Sequence, residues 1–353
     1  MSSTTPPLPQ LILGTMTIGG QTNKTDAATM IQDFGENPKW INITNSQPML
    51  DSAIMYQNGK TEKVIGSLLS DEQRGKLSIA TKANAFTPDK DLSPSGVRLQ
   101  LEESLKSLQQ DSVDLFYLHA PDAQNHIEHT LEEVQKMYKE GKFQRFGLSN
   151  FTAWEVVYIH SYMSARDGYV LPSIYQGMYN AITRQIETEL LPALHKLGMG
   201  FFAYNPLCGG MLSGKYTLPS EDMDAGEAAG KVAGANSRFA GNNIWAKRYR
   251  ERYHQKQQFE ALDIVREALQ NDGTGIGLAD ASLRWIRHHS KLRENDGIIF
   301  GASKVSHYEA NMTSLVCGGP LPDLIVKAFN DANKICKDVC PNYARGYSGS
   351  SLS

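Results

Sequence analysis

A regular alternation of short apolar runs with longer stretches of helical periodicity constrains the fold of this chain most strongly. The first two apolar runs cover residues 11–14 and 49–51, and helical stretches follow them at 25–34 and 62–69. Apolar runs this short favour buried strands, and amphipathic stretches between them favour helices. The pattern therefore predicts parallel strands that are connected by helices.

The same alternation continues to the end of the chain. Further strands are predicted at 77–81, 113–118, 143–148, 173–176, 200–204 and 297–300, with helices at 95–108, 127–138, 154–166, 187–197 and 279–288. Eight strand candidates separated mainly by helices favour a closed parallel (β/α)8 barrel, the TIM barrel, over an open sheet. We expect one α/β domain spanning 1–353, with its core at about 11–345.

Two stretches interrupt this alternation. Residues 217–243 are rich in Gly, Ala, Ser and Asn, which indicates a long mobile loop within the domain rather than a linker between domains. The segment 346–353 is expected to be a disordered tail, because small polar residues cannot bury enough apolar surface to order a chain.

Composition narrows the choice of partners. Of the 353 residues 21% are charged and the formal net charge is -3, so no general attraction to nucleic acid or anionic lipid is expected. Neither a signal-peptide pattern at the start nor a run of 18 apolar residues is found. We expect a cytoplasmic enzyme with a small-molecule substrate, without nucleic-acid or membrane partners.

Four cysteines are few for this length, and none forms a CxxC pair beside histidines as structural zinc sites require. They are interpreted as reduced thiols, and no metal is predicted. Cys336 and Cys340 are four residues apart and could share one helix face, where core packing is the simpler interpretation.

Polar residues follow three early strands. Asp51 and Tyr56 follow the second strand, Lys82 ends the third, and His119 ends the fourth. A phenol is normally a poor proton donor, but a neighbouring ammonium group and carboxylate can tune its pKa. Lys82 would supply the cation, Asp51 would hold Lys82, and His119 would orient a carbonyl oxygen or relay its proton. Each residue alone has an ordinary structural interpretation, but the combination predicts one proton-delivering pocket.

Later strand ends add amides, hydroxyls and an aromatic face. Ser149, Asn150 and Gln176 follow two strands, and Tyr204-Asn-Pro-Leu follows another. These groups suit a flat ring that carries an amide, although helix capping by Ser and Asn is the alternative for each residue taken alone.

Two segments could bind phosphate. Residues 208–216 resemble a Walker A loop, but Tyr216 replaces its Ser or Thr, so nucleotide hydrolysis is disfavoured while Lys215 and the glycines still suit a pyrophosphate. Ser303 and Lys304 follow the last strand at the start of a short helix, where barrels commonly bind phosphate. No GxGxxG follows an early strand, so a dinucleotide would bind without a Rossmann domain.

Taken together, these residues with Asn205-Pro-Leu and Gly301-Ala-Ser303 resemble the aldo-keto reductase superfamily over about residues 11–345. The strings at 148–155, 175–185 and 340–343 resemble its aflatoxin-aldehyde reductase branch. The resemblance implies an NADPH-dependent aldehyde reductase with a detoxification role, and it suggests a homodimer. It implies that Tyr56 donates the proton, Lys82 lowers the pKa of Tyr56, Asp51 supports both, and His119 orients the carbonyl.

The resemblance also implies two sets of binding residues. The cofactor set is Asp51, Ser149, Asn150, Gln176, Asn205, Pro206, Leu207, Gly209, Gly210, Ser213, Lys215, Arg238, Ser303, Lys304, His307 and Asn311. The substrate set is Met16, Tyr56, His119, Tyr249, Arg252 and Arg345. Acidic, aromatic or dicarbonyl aldehydes are expected, such as succinate semialdehyde, 2-carboxybenzaldehyde or compounds like aflatoxin dialdehyde.

Two other functions stay open at this point. One is an NADPH-sensing subunit with weak or no turnover, similar to the β subunits of potassium channels, and the four retained catalytic residue types argue against it. The other is a barrel that binds a different phosphate-bearing ligand, which would leave those four residues without a role.

Overall fold

The computed structural model describes residues 8–40, 47–87, 89–219, 223–234 and 237–349. Eight parallel strands form a closed barrel in chain order, and the eighth pairs with the first. The strands are β1 (Gln10–Gly14), β2 (Met49–Asp51), β3 (Ser78–Ala83), β4 (Val113–Leu118), β5 (Phe143–Ser149), β6 (Pro172–Met178), β7 (Gly200–Tyr204) and β8 (Gly297–Gly301). The predicted (β/α)8 barrel is confirmed.

Helices surround the barrel. In chain order they are α1 (Lys24–Glu36), α2 (Lys60–Leu68), α3 (Asp71–Lys76), α4 (Pro94–Leu108), α5 (Ile127–Lys139), α6 (Ala153–Ser164), α7 (Leu190–Leu197), α8 (Ala225–Ala233), α9 (Ile244–Tyr253), α10 (Lys256–Asp272), α11 (Leu278–His288), α12 (Val305–Met312) and α13 (Asp323–Cys336). Sequence periodicity did not assign α10 and α13, which pack against each other.

Local signals explain where several helices begin and end. Ser93 caps α4 by accepting from the Gly96 N–H, and Pro94 occupies the first turn, where its missing N–H is harmless. Thr152 and Glu155 form a reciprocal capping box at the start of α6. Gly141 has φ +74° just after α5, the left-handed conformation that glycine commonly supplies at the end of a helix.

The barrel has two hydrophobic cores. The smaller core fills its interior with side chains from the strands: Ile12, Met49, Ala80, Leu115, Tyr117, Ile174, Phe202 and Ile299. The larger core lies between the strands and the helices around them. Because the interior is packed with side chains, a ligand can only enter at an end of the barrel.

The stretch expected to be a long loop, 217–243, contains the helix α8. Asp224 caps it by accepting from the Gly226 and Glu227 N–H groups at 2.9 and 3.0 Å. Alanine, the best helix former, outweighs the glycines in Ala225–Ala233. Residues 220–222 and 235–236 of the predicted loop lie outside the described residues.

The first part of the expected disordered tail is packed on the barrel. The Ser348 N–H donates to Glu155 Oε1 at 2.8 Å, and the Gly349 N–H donates to the Asp122 carbonyl at 2.9 Å. The Tyr347 ring stacks on Trp154 with centroids 6.0 Å apart. Composition predicted disorder here because it cannot report contacts with residues that are distant in the sequence, and such contacts order this segment. Residues 350–353 lie outside the described part of the chain.

None of the helices in the described ranges is long and apolar enough to cross a membrane. In the same ranges, no group of three His, Cys, Asp or Glu side chains is arranged to hold a metal ion.

Candidate active site

A cleft of about 770 Å³ opens at the carboxyl ends of the strands. Asp51, Tyr56 and His119 line it, so residues from separate strand ends meet as predicted. Since the strands are parallel, their carboxyl ends lie at the same end of the barrel, which is where barrel enzymes place their active sites.

Asp51 and Lys82 form a buried ion pair beneath the cleft. Lys82 Nζ lies 2.8 Å from Asp51 Oδ1, and the two side chains are only 0% and 4% exposed. Lys82 Nζ also donates to the Ser52 carbonyl at 2.5 Å, and Gln176 Nε2 donates to Asp51 Oδ1 at 2.8 Å. Lys82 therefore does not line the cleft; it lies beneath the cleft, paired with Asp51 and close to the Tyr56 ring.

A tight turn presents Tyr56 to the cleft. Tyr56 begins a short 3-10 segment in which Gln57, Asn58 and Gly59 all have positive φ, of 50°, 54° and 80°. Such backbone favours Asn and Gly, which the sequence supplies. The Gln57 side chain then fixes the turn by donating to the Met16 carbonyl at 2.9 Å. Tyr56 thus lies near Lys82, whose Nζ is 5.3 Å from the ring centroid.

Burial raises the pKa of Tyr56 well above its ordinary value, and the charge of Asp51 adds to this effect while Arg238 opposes it. The sequence had suggested that Lys82 would lower this pKa. In the structure the Lys82 ammonium is engaged by Asp51 and the Ser52 carbonyl. Tyr56 is consequently protonated at neutral pH, which is the form that can donate a proton.

His119 is a neutral imidazole in this environment. Burial lowers its pKa well below the ordinary value, and the charges of Lys82 and Arg345 lower it further. The ring lies edge-on to Tyr56 and Phe86, with centroid distances of 6.0 and 5.1 Å. Its Nδ1 is buried and has no hydrogen-bond partner among the described residues. A neutral imidazole here can donate one hydrogen bond to a carbonyl oxygen.

Asn150 is held in a strained conformation at the end of β5. Its φ is +62°, and its side-chain amide donates to the His119 carbonyl at 2.7 Å and to Ser149 Oγ at 2.9 Å. The Tyr204 hydroxyl donates to Asn150 Oδ1 at 2.8 Å. Ser149 itself is fully buried and does not line the cleft, and its hydroxyl oxygen accepts from the Asn150 amide.

A glycine-containing segment forms one wall of the cleft. Gly209 and Gly210 have φ of +68° and +114° in Cys208–Ser213, and a Cβ on Gly209 would lie 2.7 Å from the Tyr249 ring. The close approach of the Tyr249 ring therefore requires glycine at 209. Gly209 and Gly210 line the cleft without side chains, which fits a pyrophosphate.

Lys215 and Lys304 lie near each other in the cleft, beside His307. Lys304 is the residue just before α12, and the charges of Lys215 and Lys304 both lower the pKa of His307, after the larger effect of burial. No carboxylate in the described part of the chain pairs with either lysine. The positive charge of the two lysines fits a phosphate group in this part of the cleft.

Several arginines line the cleft together with Tyr56 and His119. Arg238 Nη1 donates to the Tyr249 hydroxyl at 2.9 Å, on the same side as Tyr56. Arg252 lies with its guanidinium carbon 5.9 Å from the Tyr249 ring centroid, and Arg345 lies 5.4 Å from that of Phe86. The backbone N–H of Arg345 donates to the Asn150 carbonyl at 2.8 Å, which holds the C-terminal segment against the cleft.

Most residues predicted from the sequence line the cleft. They are Met16, Asp51, Tyr56, His119, Asn150, Gln176, Asn205, Pro206, Leu207, Gly209, Gly210, Ser213, Lys215, Arg238, Tyr249, Arg252, Ser303, Lys304, His307, Asn311 and Arg345. The exceptions are Lys82 and Ser149, which lie directly behind it.

Sequence reasoning missed several lining residues, including Met55, Phe86, Trp245 and Arg248. A signal existed for two of them. Trp245 and Arg248 are seven and four residues before Arg252, so they share one face of α9 with it. Phe86 had no such signal, because its place in a loop after β3 is unrelated to any periodicity.

The model of the Aldo/keto reductase family matches residues 10–334. The chain belongs to this family. Aflatoxin B1 aldehyde reductase member 2 from Homo sapiens is 42% identical over 351 residues, which cover 98% of this chain and 92% of that protein. Its counterpart of the same name from Rattus norvegicus is 43% identical over 343 residues, covering 96% and 88%. Aflatoxin B1 aldehyde reductase member 4 from Homo sapiens is 38% identical, covering 95% and 97%.

Membership of the aldo-keto reductase family makes this chain an oxidoreductase that acts on carbonyl groups and uses NAD(P)H. The cleft agrees with that chemistry, because it combines a protonated phenol, a neutral imidazole and an extended anion cradle.

Proposed function

We propose that this aldo-keto reductase is an NADPH-dependent aldehyde reductase, with Tyr56 as proton donor and with acidic aldehydes among its preferred substrates. The observation that supports this proposal most strongly is that Tyr56 and His119 line one cleft above the buried Asp51–Lys82 ion pair. Arg252 and Arg345, which form no ion pair with a carboxylate of the described residues, line the same cleft. The names of the related proteins, which are aldehyde reductases, support the reaction class.

When bound, the nicotinamide cofactor supplies a hydride to the carbonyl carbon. The protein does the rest: His119 donates a hydrogen bond that orients the carbonyl oxygen, and Tyr56 delivers a proton to that oxygen. The proton moves from a phenol to a developing alkoxide, a much stronger base, so the raised pKa of Tyr56 does not prevent transfer. Asn150 and Gln176 would hold the carboxamide of the nicotinamide ring, and the glycine wall would hold the pyrophosphate.

Arg252 and Arg345 explain the preference for acidic substrates. Neither pairs with a carboxylate of the described chain, and both line the cleft near Tyr249 and Phe86. A guanidinium binds a carboxylate through two parallel hydrogen bonds, which fixes the direction of the bound molecule. An aldehyde carboxylate held there would keep the carbonyl against Tyr56 and His119.

We expect 2-carboxybenzaldehyde to be reduced with a higher kcat/KM than 2-nitrobenzaldehyde, a neutral molecule of nearly the same shape. In Arg345→Ala or Arg252→Ala this ratio should fall by roughly 10- to 150-fold, because one charged contact contributes about 1.5 to 3 kcal/mol. Steady-state kinetics with both aldehydes gives the ratio. The ratio cancels general damage to the enzyme, so an unchanged ratio in both variants means that neither arginine binds the carboxylate.

We expect NADPH to bind at least about tenfold more tightly than NADH, because one charged contact to the 2'-phosphate is worth about 1.5 to 3 kcal/mol. Lys304, with Lys215 and His307 beside it, is the group proposed to make this contact, whereas Arg238 lies nearer Tyr56. Fluorescence titration should show the preference lost in Lys304→Met. It should persist in Lys327→Met, which removes an exposed lysine charge from α13. Equal affinities for NADPH and NADH in the parent would contradict the proposal.

A panel of acidic, aromatic and aliphatic aldehydes with NADPH tests the function as a whole. Tight NADPH binding without oxidation by any member of the panel would favour a cofactor-sensing protein instead. The cytoplasmic location, the homodimer and a detoxification role remain predictions from the sequence.

A further inference from the structure

Three of the four cysteines converge on residues Ile182 and Thr183, just after β6. Cys336 Sγ lies 3.5 Å and Cys340 Sγ lies 3.2 Å from the same atom, the Ile182 carbonyl oxygen. Cys340 Sγ is also 4.0 Å from Thr183 Oγ1, and the Thr183 side chain hydrogen-bonds to Cys208. Two thiols that share one acceptor oxygen are necessarily neighbours.

The chain brings Cys336 and Cys340 together by a turn rather than along a helix face. Cys336 is the last residue of α13, and the 3-10 segment Lys337–Val339 follows it. Cys340 then returns to the carbonyl that Cys336 contacts. The sequence interpretation, two thiols on one helix face in a core, therefore missed how directly they meet.

The two thiols differ in access and in acidity. Cys336 is fully buried, while Cys340 is only half-buried. The hydrogen bond from Cys336 lowers the pKa of Cys340, and hydrogen bonds from Gln185, Thr183 and Gln258 act in the same direction against the effect of burial. The same hydrogen bond, together with burial, raises the pKa of Cys336. Cys340 is thus the thiol that ionises more readily, and Cys336 is the thiol that keeps its proton.

We propose that Cys336 and Cys340 form a redox modification site, in which a peroxide oxidises Cys340 and Cys336 then closes a disulfide with it. An accessible thiolate beside a second, resolving thiol is the arrangement that reacts in this way. The site is separate from the reductase chemistry, and the proposal does not depend on the substrate or cofactor of the enzyme.

The reaction balances with hydrogen peroxide as oxidant. The Cys340 thiolate attacks one peroxide oxygen, the O–O bond breaks, and hydroxide leaves, which gives a sulfenic acid at Cys340. The Cys336 sulfur then attacks the Cys340 sulfur, the S–S bond forms, and the S–O bond breaks. The hydroxide released in this step takes the Cys336 proton, and the hydroxide from the first step takes the proton that Cys340 lost when it ionised. The two thiols together lose two electrons and two protons, and two water molecules form.

The disulfide would tie the end of α13 to the start of the segment that carries Arg345. In that segment the Tyr343 hydroxyl accepts from the Ala153 N–H at 3.1 Å and donates to Glu189 Oε2 at 3.1 Å. Cys340 lies just before Tyr343 in the chain, and Arg345, two residues after Tyr343, lines the cleft. A disulfide at Cys340 would therefore constrain the segment that leads into the cleft.

The experiment uses the full-length protein, reduced, desalted and exposed to hydrogen peroxide. Free thiols are then alkylated, and trypsin digestion is done without reductant. Trypsin cleaves after Lys334, Lys337 and Arg345, so the two thiols fall on separate peptides, 335–337 and 338–345. We expect mass spectrometry to show these peptides joined, with both alkylated forms lost and a mass lower by two hydrogens than the sum of the two free thiol peptides.

Variants distinguish this pairing from others. In Cys336→Ser and Cys336→Ala the joined peptides should disappear, and dimedone should trap a sulfenic acid at Cys340. Cys317→Ser, which removes an exposed thiol elsewhere, and Cys208→Ser should both still give the 336–340 link. The proposal is overturned if peroxide oxidises Cys317 while both alkylated peptides persist, or if Cys340 is found joined to Cys208.

Discussion

Replacing Tyr56 with phenylalanine is expected to lower kcat by about 100- to 10,000-fold, the usual contribution of a positioned proton donor. The change removes one hydroxyl and leaves the ring in place. That hydroxyl forms no hydrogen bond with any residue in the described part of the chain, so folding should be little affected. The Tyr56 ring lies near the Lys82 ammonium and His119, and phenylalanine preserves both contacts.

Two measurements make this test specific. Single-turnover reduction of 2-carboxybenzaldehyde follows the chemical step, and fluorescence titration follows NADPH binding. We expect the first to slow and the second to stay within about a factor of two to three of the parent, since binding to a folded cleft does not need the hydroxyl. Near-normal turnover in the variant would show that another group supplies the proton.

Lys82→Met should also lower kcat strongly, by about 100- to 1,000-fold, the effect of removing one fixed electrostatic group from an active site. The reason is the buried ion pair. Lys82 neutralises Asp51, and the charge of Asp51 already raises the pKa of Tyr56. Without the ammonium group, the tyrosinate that remains after proton transfer would face an uncompensated carboxylate.

Stability must be separated from catalysis in this variant. Removing one partner of a buried ion pair typically costs about 3 to 5 kcal/mol, because the other charge is left unpaired. The double variant Asp51→Asn with Lys82→Met removes both charges. We expect it to recover much of the free energy of unfolding, measured by denaturant titration, but not the rate. Recovery of kcat together with stability would mean that Lys82 serves the fold alone.

The barrel could be predicted from the sequence because its signal is local. Apolar runs such as 200–204 and the helical periodicity of 95–108 report which faces are buried, and all eight predicted strands are present. Residues directly after parallel strands must meet at one end of a barrel. Asp51, Tyr56 and His119 could therefore be assigned to one cleft before any distance was known.

Only the tertiary structure decided the pKa of Tyr56 and the contacts of the positively charged side chains in the cleft. Burial, which no local pattern reports, has the largest effect on the pKa of Tyr56 and raises it. Arg238 was grouped with Ser303 and Lys304 from the sequence, and only the structure shows that its guanidinium donates to the Tyr249 hydroxyl. Loops place such side chains, and loop paths follow from the whole fold.

The sequence by itself determined the barrel and the order of its strands, because strand and helix periods are written in neighbouring residues, and the resemblance to the family named most residues of the cleft. Only the folded chain decided that 346–349 pack on the barrel, that Phe86 and Trp245 reach the cleft, and that Cys336 meets Cys340. These contacts join residues that are distant in sequence or separated by a turn, and their energies depend on burial and distance, which are properties of the packed molecule.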